Sequence, residues 1–503
     1  MAERIVFLAV LLPWLNPFSP GPTPSVGPLL FSWACVGLAL LAWAAPTGGL
    51  APTRGQRAFL AAWLWAALIS AVMGVLQYLN LTTWALGWIN HTSLGEAYGN
   101  LRQRNQFASL INLGLVVLVL QWAALHDPKS EAPYAIPAWL RTGFFVYPAA
   151  CLLGLANAAS ASRTGLLQLL MLVLLLGLWR RQRAVWALLG LALAAFAVGS
   201  VALPLAAGLD PMQSGAWARL RAGDALCFSR LTLWRNVLTL IALKPWTGWG
   251  WGELDYAHFM TLYPGARFCD ILDNAHNLPL HLAVELGLPV ALVACAVLLA
   301  LLWRARPWRA HDPLCQTAWA VLAVIGLHSL LEYPLWYGPF QMAVLGCLVL
   351  LASARRDATA GTAAWDRATS ALRPVLCGLG VAIGLGVAAA AWQYHLASQV
   401  YLDPEERDAA YRDKPYAVLD SLWLFRDQVR FAELTITEID ASNAAAVLAL
   451  GLEVLHFSPE PRVIEAVLDS ARLLGEDDVV QSFVQRYRAA FPKDYAAWVA
   501  RQR

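Results

Sequence analysis

The chain has 503 residues, of which 59% are hydrophobic and only 14% charged, against about 45–50% and 25% in ordinary globular domains. With 24 tryptophans and a mean hydropathy of +0.53, it carries more apolar surface than a water-soluble fold of this size can bury. A net charge of +3 gives little attraction for nucleic-acid phosphates, and eight cysteines over this length exclude a disulfide-rich secreted scaffold, which leaves a polytopic membrane protein.

About 20 apolar residues are needed to cross a bilayer as a helix. Apolar runs at 3–15, 28–45, 57–79, 106–125, 142–158, 164–179, 183–208, 278–303, 314–331, 338–353 and 374–395 predict about eleven transmembrane helices. The first run is a poor cleavable signal: Arg4 is its single basic flank, and Pro13 and Pro17 stand where small residues should be. Alternate connections carry Arg54 and Arg57; Lys129 and Arg141; Arg180, Arg181 and Arg183; Arg304, Arg306 and Arg309; and Arg355, Arg356, Arg367 and Arg373. By the positive-inside rule these face the cytoplasm, together with the N-terminus. The segments 80–105, 159–163, 209–277 and 332–337, and everything after 396, then face outward. Against that trend, the outer segments hold a few concentrated cations: Arg102, Arg104, Arg163, Arg219, Arg221, Arg230, Arg235, Lys244 and Arg267. Cations so placed imply an anionic ligand.

Composition changes near residue 396. Residues 401–503 contain 12 Lys/Arg and 18 Asp/Glu, a net −6, whereas the preceding 400 carry +9. The expected organisation is a membrane domain over 1–395, whose outer loop 209–277 bears the active site, followed by a soluble helical domain over 396–503. Breaks near Asp440–Asn443, Ser458–Pro461, Gly475 and Phe491-Pro492 predict tail helices of 14–20 residues. The terminal junction around Phe491-Pro492 resembles that of tetratricopeptide-like units; a small irregular bundle is the alternative. Cys35, Cys151, Cys295, Cys347 and Cys377 fall in apolar spans as small core residues. Cys227 and Cys269 share the outer loop, where an oxidising compartment would permit a bridge; two free thiols are the alternative.

Four outer segments hold the unusual polar groups. Asn100, Gln103 and Asn105 are amides flanked by Arg102 and Arg104, a set suited to a phosphate or sugar head group. Arg163 lies at the mouth of two spans, where snorkelling is the ordinary explanation. Arg230 and Trp234, four apart, face one side of a helix and precede the Gly/Trp run 246–252, whose rings can stack on sugars or sit at the lipid interface. His276 stands among Asp273, Asn274 and Asn277 ahead of Pro279, so the motif reads as a helix cap bearing a group able to transfer protons near neutral pH. His328 and Glu332, spaced i, i+4 on one helix face before Tyr337, are ionisable groups at a membrane edge and therefore functional candidates. Asp270, Asp273 and His276 can add ligands to that pair only without any recognised metal spacing, so no metal or cofactor is expected.

Taken together, these segments resemble the O-antigen ligase superfamily of polytopic glycosyltransferases. His276-Asn277, nine residues and Gly287 fit its His-(Asn/Ser/Gln)-x9-Gly pattern, although Val290 stands where that pattern continues with Gly, Thr or Tyr. Within it, the bacterial O-linked oligosaccharyltransferases are the most similar. Gly99-Asn100-x-x-Gln103-x-Asn105, Ala275–Leu280 with Glu285–Pro289, His328-x-x-x-Glu332-Tyr333-Pro334, Pro13–Pro17 and the polar tail carry that likeness. The resemblance implies an all-α, GT-C-like membrane fold and en bloc transfer of an oligosaccharide from undecaprenyl pyrophosphate to a periplasmic acceptor hydroxyl. It implies His276 and Glu332 as catalytic residues. Arg163 and Arg230, then Arg235, Arg219 and Arg221, are the cations for the pyrophosphate. Asn100, Gln103, Asn105, Asn277, His328 and Tyr337 are the expected substrate-binding residues. The expected partners are the lipid-linked donor, membrane lipids and a pilin-like protein; the alternative acceptor is the lipopolysaccharide core, as in O-antigen ligase proper, and a third is a growing glycan. A transporter would place its polar groups near the midplane, often within internal repeats, and neither pattern is present.

Overall fold

A computed structural model describes residues 1–44, 52–85, 87–126, 143–179, 183–221, 226–357 and 362–502. Lys129, Arg141, Arg180 and Arg181 of the topology argument lie outside the described residues. The described chain is all-helical and forms two compact units. The first comprises Met1–Ala222 and Leu302–Ala388, the second Gly223–Leu301 and Ala389–Arg503.

The first unit contains helices α1 (Ala2–Leu15), α2 (Val26–Ala44), α3 (Pro52–Tyr78), α4 (Arg104–Leu125), α5 (Gly143–Ser160), α6 (Arg163–Leu178), α7 (Arg183–Ala206) and the short α8 (Gly215–Arg221). In the second, α9 (Arg230–Leu243), α10 (Leu254–Met260) and α11 (Leu278–Leu286) lead into α12 (Leu288–Ala305). Helices α13 (Pro313–Ser329) and α14 (Gly338–Asp357) return to the first unit, and α15 (Thr362–Ser398) runs on toward the tail helices α16 (Arg426–Ile436), α17 (Ala444–Val454), α18 (Pro461–Leu474), α19 (Asp477–Ala490) and α20 (Pro492–Arg501).

Every predicted apolar run is helical. Among the described residues, seven helices are long and apolar enough to cross a membrane: α2, α3, α4, α5, α7, α12 and α15. Helices α6, α13 and the apolar part of α14 are also apolar but shorter, and α1 has 14 residues. The chain is therefore a multi-pass membrane protein. Helix α4 is apolar all round because it is the axis of the first unit: α3, α5, α6, α7 and α13 pack against it and it is buried almost throughout. Helices α12 and α15 bury only 6% of their most apolar stretch, as spans that face lipid do.

One predicted span is corrected. The run 278–303 is not one helix, because Gly287 takes φ +86° and separates α11 from α12. Hydropathy does not register this break, since Leu286 and Leu288 on either side of it are apolar and the run continues through α12. A Cβ at Gly287 would lie 2.3 Å from the Trp246 carbonyl oxygen, and one at Gly248 equally close to that of Glu285. Glycine is required at both positions, because the Gly/Trp run docks backbone to backbone. Trp249 N donates to Val284 O (2.9 Å), Gly250 N to Glu285 O (3.0 Å) and Leu288 N to Pro245 O (2.8 Å).

The four tail breaks fall where predicted. Asp440 Oδ1 accepts from the Ser442 and Asn443 N–H groups ahead of α17, Pro461 and Pro492 each open a helix, and Gly475 closes α18 in the left-handed conformation. The helices have 11, 11, 14, 14 and 10 residues, so three are shorter than expected. Residues 399–425 are spent in turns and 3-10 segments, and the Asp440 turn removes another stretch. Each tail helix packs on the next. Helix α10 joins their core: Phe259 is buried among Leu434, Val463 and Phe483, Tyr256 stacks on His456 at 3.8 Å, and Arg486 Nε donates to Met260 O at 2.9 Å. These contacts hold the outer-loop helix α10 to the tail.

Cys227 and Cys269, 42 positions apart in sequence, are bridged, with Cα atoms 5.2 Å apart. The chain-entropy model for such a loop gives a stabilisation near the top of the usual range. Reduction, or Cys227→Ser with Cys269→Ser, is expected to lower unfolding stability by about 2–4 kcal/mol, read as a drop in Tm of the detergent-purified protein with reductant.

Candidate functional site

The candidate residues fall into two sets, one in each unit. The second unit holds His276. Three interactions fix the turn that carries it. Trp234 Nε1 donates to Ala275 O (3.1 Å), Asn274 Oδ1 accepts from His276 N (2.9 Å), and Asn277 caps α11 by accepting from Leu280 N at 3.1 Å. His276 itself is left-handed, at φ +50°, a conformation few non-glycine residues adopt. The turn is clamped on both sides of this residue, by the Trp234–Ala275 bond before it and the Asn277 cap after it. The Cys227–Cys269 bridge and the Cys269 N to Cys227 O hydrogen bond (3.0 Å) tie this loop to the start of α9. Ser229 caps α9, accepting from Thr232 N at 3.2 Å, so Arg230 is its first residue and is half-buried, whereas Arg235 is exposed one turn on. The i, i+4 placement of Arg230 and Trp234 on α9 is therefore realised.

Groups not singled out from the sequence surround this turn. Asp255 on α10 is buried; burial pushes its carboxyl up to about 7, opposed by the hydrogen bond from Tyr256 N, and the charge of Asp273 pushes the same way. Asp273 is raised by burial and held back by His276. His258 is also buried, and desolvation lowers it to about 3. Its Nε2 lies 3.2 Å from Phe268 O, an obligate acceptor, and its Nδ1 2.8 Å from the Tyr263 hydroxyl. The proton therefore belongs on Nε2, and Tyr263 donates to Nδ1. On α11, His281 Nε2 sits 3.5 Å from Glu285 Oε2, both buried. The available signal was His281 and Glu285 at i, i+4 within an apolar run; nothing in the spacing announces Asp255 or His258.

The shift at Asp255 fixes a pH dependence. Its folded pKa lies above the unfolded value of 3.8, so the folded state binds the proton more tightly. Its contribution to stability is complete below about pH 4 and lost as pH rises through about 7. Asp255→Asn is thus expected to raise stability by roughly 2–4 kcal/mol at pH 8 and to leave it unchanged at pH 4, measured as Tm at the two values.

The first unit holds Arg163, the amides and the His328–Glu332 pair. Ser162 caps α6, accepting from Gly165 N at 2.9 Å, and donates its hydroxyl to Asn105 Oδ1 at 2.6 Å. Asn105 Nδ2 in turn donates to Glu332 Oε1 at 3.0 Å. Arg163, first residue of α6, is exposed, and its Nε donates to the Arg219 carbonyl at 2.9 Å, which brings α8 with Arg219 and Arg221 to the α6 N-terminus. Arg221 reaches Met212 Sδ at 4.0 Å. His328 and Glu332 do not share one helix. Helix α13 ends at Ser329 and Glu332 occupies the following turn, held by its N–H to His328 O at 2.8 Å, because Pro334 disfavours helix in the residue before it. Tyr337 stacks on Tyr333 at 5.9 Å.

The amides have internal partners. Asn100 is buried; its Nδ2 donates to Leu15 O (2.7 Å) and Trp88 O (2.9 Å), and its Oδ1 accepts from Asn90 N (3.0 Å). Gln103 caps α4 through Gln106 N at 2.9 Å. A second polar chain crosses the apolar core. Asn157 Nδ2 donates to Asn112 Oδ1 (2.8 Å), Asn112 Nδ2 to Gln168 Oε1 (2.8 Å) and Gly165 O (3.1 Å), and Gln168 Nε2 to Ser109 Oγ (2.7 Å). Ser109 Oγ lies 2.9 Å from His328 Nδ1. That hydroxyl, which accepts from Gln168, thus links the amide chain to the His328 ring. Single amides inside the apolar runs were the sequence signal for this chain.

Comparison with known proteins bears on each of these segments. Residues 97–122, with Asn100, Gln103 and Asn105, match a family described as protein glycosylation ligase. Residues 148–295, with Arg163, Arg230 and His276, match O-antigen ligase, and residues 316–503 match the C-terminal part of virulence factor membrane-bound polymerase. The chain is 27% identical over 308 residues to a general O-oligosaccharyltransferase of Acinetobacter baylyi, covering 58% of this chain and 50% of that protein. It is 25% identical over 253 residues to a ComP-specific O-oligosaccharyltransferase of the same organism, covering 50% and 43%. The chain thus spans about half the length of the curated relatives it matches. Along its sequence, in order, the chain is similar to the families of protein glycosylation ligase, O-antigen ligase and virulence factor membrane-bound polymerase, and over part of its length to O-oligosaccharyltransferases.

Proposed function

We propose that the chain is an O-oligosaccharyltransferase that moves an oligosaccharide en bloc from undecaprenyl pyrophosphate to Ser or Thr hydroxyls of an exported, pilin-like protein. The observation that carries this reading is His276, clamped in a left-handed turn at the head of α11 within the stretch similar to O-antigen ligase. Its imidazole takes the proton of the acceptor hydroxyl. The new bond forms between that oxygen and the anomeric carbon, while the bond from the anomeric carbon to the pyrophosphate oxygen breaks. Undecaprenyl pyrophosphate leaves with the electron pair, and arginine stabilises the charge. On α9, whose Trp234 holds the turn before His276, that arginine is Arg230; Arg163, at a helix N-terminus and with Arg219 and Arg221 near, is the other cation suited to a diphosphate. Glu332, held by Asn105, is a positioning carboxylate, and Asn100, Gln103 and Asn105 shape their loop rather than touch sugar. The short helices α1, α6, α13 and α14 complete eleven spans, the disulfide suits the periplasm of a bacterial inner membrane, and the tail is a tetratricopeptide-like buttress.

The test is a paired assay in cells lacking the endogenous activities, supplied with a lipid-linked glycan, a pilin-like acceptor and a complete lipopolysaccharide core. Glycan on the pilin is the expected result. Glycan only on the core, or a lengthened glycan on the lipid, would reassign the chain to ligation or polymerisation.

A further inference from the structure

Helix α9 has two faces. Leu233, Val237, Leu240 and Ile241 pack inward with Leu254, Leu272 and Val284. The outward stripe is Leu231, Arg235, Leu238 and Ala242, at spacings of four, three and four, which is one side of a helix. Leu231 is 75% exposed and Leu238 55%, and beyond the C-terminus Trp246 is 77% exposed. A stripe of leucines broken by one arginine and ending in Lys244 and an exposed tryptophan has the composition of a helix that lies in a bilayer surface.

Position in the fold argues for the same occupant. Leu288 is the first residue of the lipid-facing span α12, and its N–H donates to Pro245 O at 2.8 Å, one residue before Trp246. The Gly/Trp run fastens the same segment along α11 through the Trp249 and Gly250 N–H groups. The C-terminal end of α9 is therefore anchored at the end of a membrane span, where headgroups meet acyl chains. The structure assigns the outer stripe of α9 to the membrane surface: it lies in the plane of the bilayer, leucines in the acyl boundary, Arg235 and Lys244 among anionic headgroups. This inference does not depend on the transfer reaction.

The test places benzoyl-phenylalanine at Leu231, Leu238 or Leu243 of the full chain, reconstituted in nanodiscs of phosphatidylcholine with and without phosphatidylglycerol. Ser442, in a polar turn of the tail, is the reference position. After irradiation, phospholipid adducts are expected at all three leucines, at several-fold the Ser442 yield, and higher with phosphatidylglycerol. Adducts at Leu243 but not Leu231 would mean that α9 stands away from the bilayer and would overturn the inference. Adducts to protein instead of lipid, or yields equal to Ser442, would do the same. Non-reducing gel mobility reports whether the Cys227–Cys269 bridge has formed in each variant, so a missing adduct in bridged protein is not loss of fold.

Discussion

His276→Ala is expected to lower transfer by about 10²–10⁴-fold while the protein still inserts and purifies, because general-base assistance to a weakly nucleophilic hydroxyl has that size. Alanine tolerates φ +50° poorly, so His276→Asn is the sharper variant. Asparagine adopts the left-handed region more readily than most residues and is polar, yet it cannot accept the proton. Both should give the same loss of kcat with an unchanged Tm for the asparagine variant. The measurement is initial-rate transfer to a purified acceptor at saturating donor, beside thermal denaturation of the same preparations. If His276 only caps its turn, His276→Asn will retain activity and His276→Ala will lose protein rather than rate. That outcome would remove histidine from the mechanism. A fall confined to the donor KM would instead make it a binding group.

The parts of this molecule that were legible in the sequence are those written as local runs. Twenty apolar letters in a row cannot fold otherwise in a bilayer, and Pro461, Gly475 and Pro492 end or open helices through their own backbone geometry. The His276 turn was legible for the same reason, since Asn277, Pro279 and the histidine are neighbours. What stayed hidden is what the chain assembles from distance. Gly287 breaks a predominantly apolar run because Trp246, 41 positions earlier, needs its space. Helix α10 belongs to the tail core through Phe259, though composition assigns it to the loop. The amides were ambiguous for a physical reason. A buried amide must be satisfied, and from sequence alone a ligand and a backbone carbonyl are equal partners. Asn100 has backbone partners, and Asn105 serves Glu332 and Ser162.

The same principle sets the stability prediction of largest size. Asn112 stands in the buried centre of the first unit and makes three hydrogen bonds, two donated and one accepted. Leucine keeps the branched outline of the asparagine side chain, so Asn112→Leu opens no cavity; what it does is orphan Asn157 Nδ2 and Gln168 Oε1, while the Gly165 carbonyl keeps its bond within α6. Each orphan costs about 1–3 kcal/mol in a dry interior. Interhelical hydrogen bonds in membranes are worth less than this on average, about 0.6 kcal/mol, because helices apart in lipid find other partners. That discount applies poorly here, since the two orphans lie on two other helices, α5 and α6, that stay packed around α4. A loss of about 4–5 kcal/mol is expected, read by denaturant or thermal unfolding in detergent. Asn112→Leu combined with Asn157→Leu should be less damaging than the sum of the two single variants, because the double change removes both ends of one bond. Additivity would mean that water already reaches these amides, and the chain from Asn157 to His328 would then not be a dry network. If the network is dry, Asn112→Leu should also loosen Gln168, and through Ser109 the ring of His328, while Asn105 and Glu332 on the separate branch keep their bonds. A fall in Tm with transfer preserved at low temperature would assign the chain to packing; a fall in kcat before the protein unfolds would assign it to the orientation of His328.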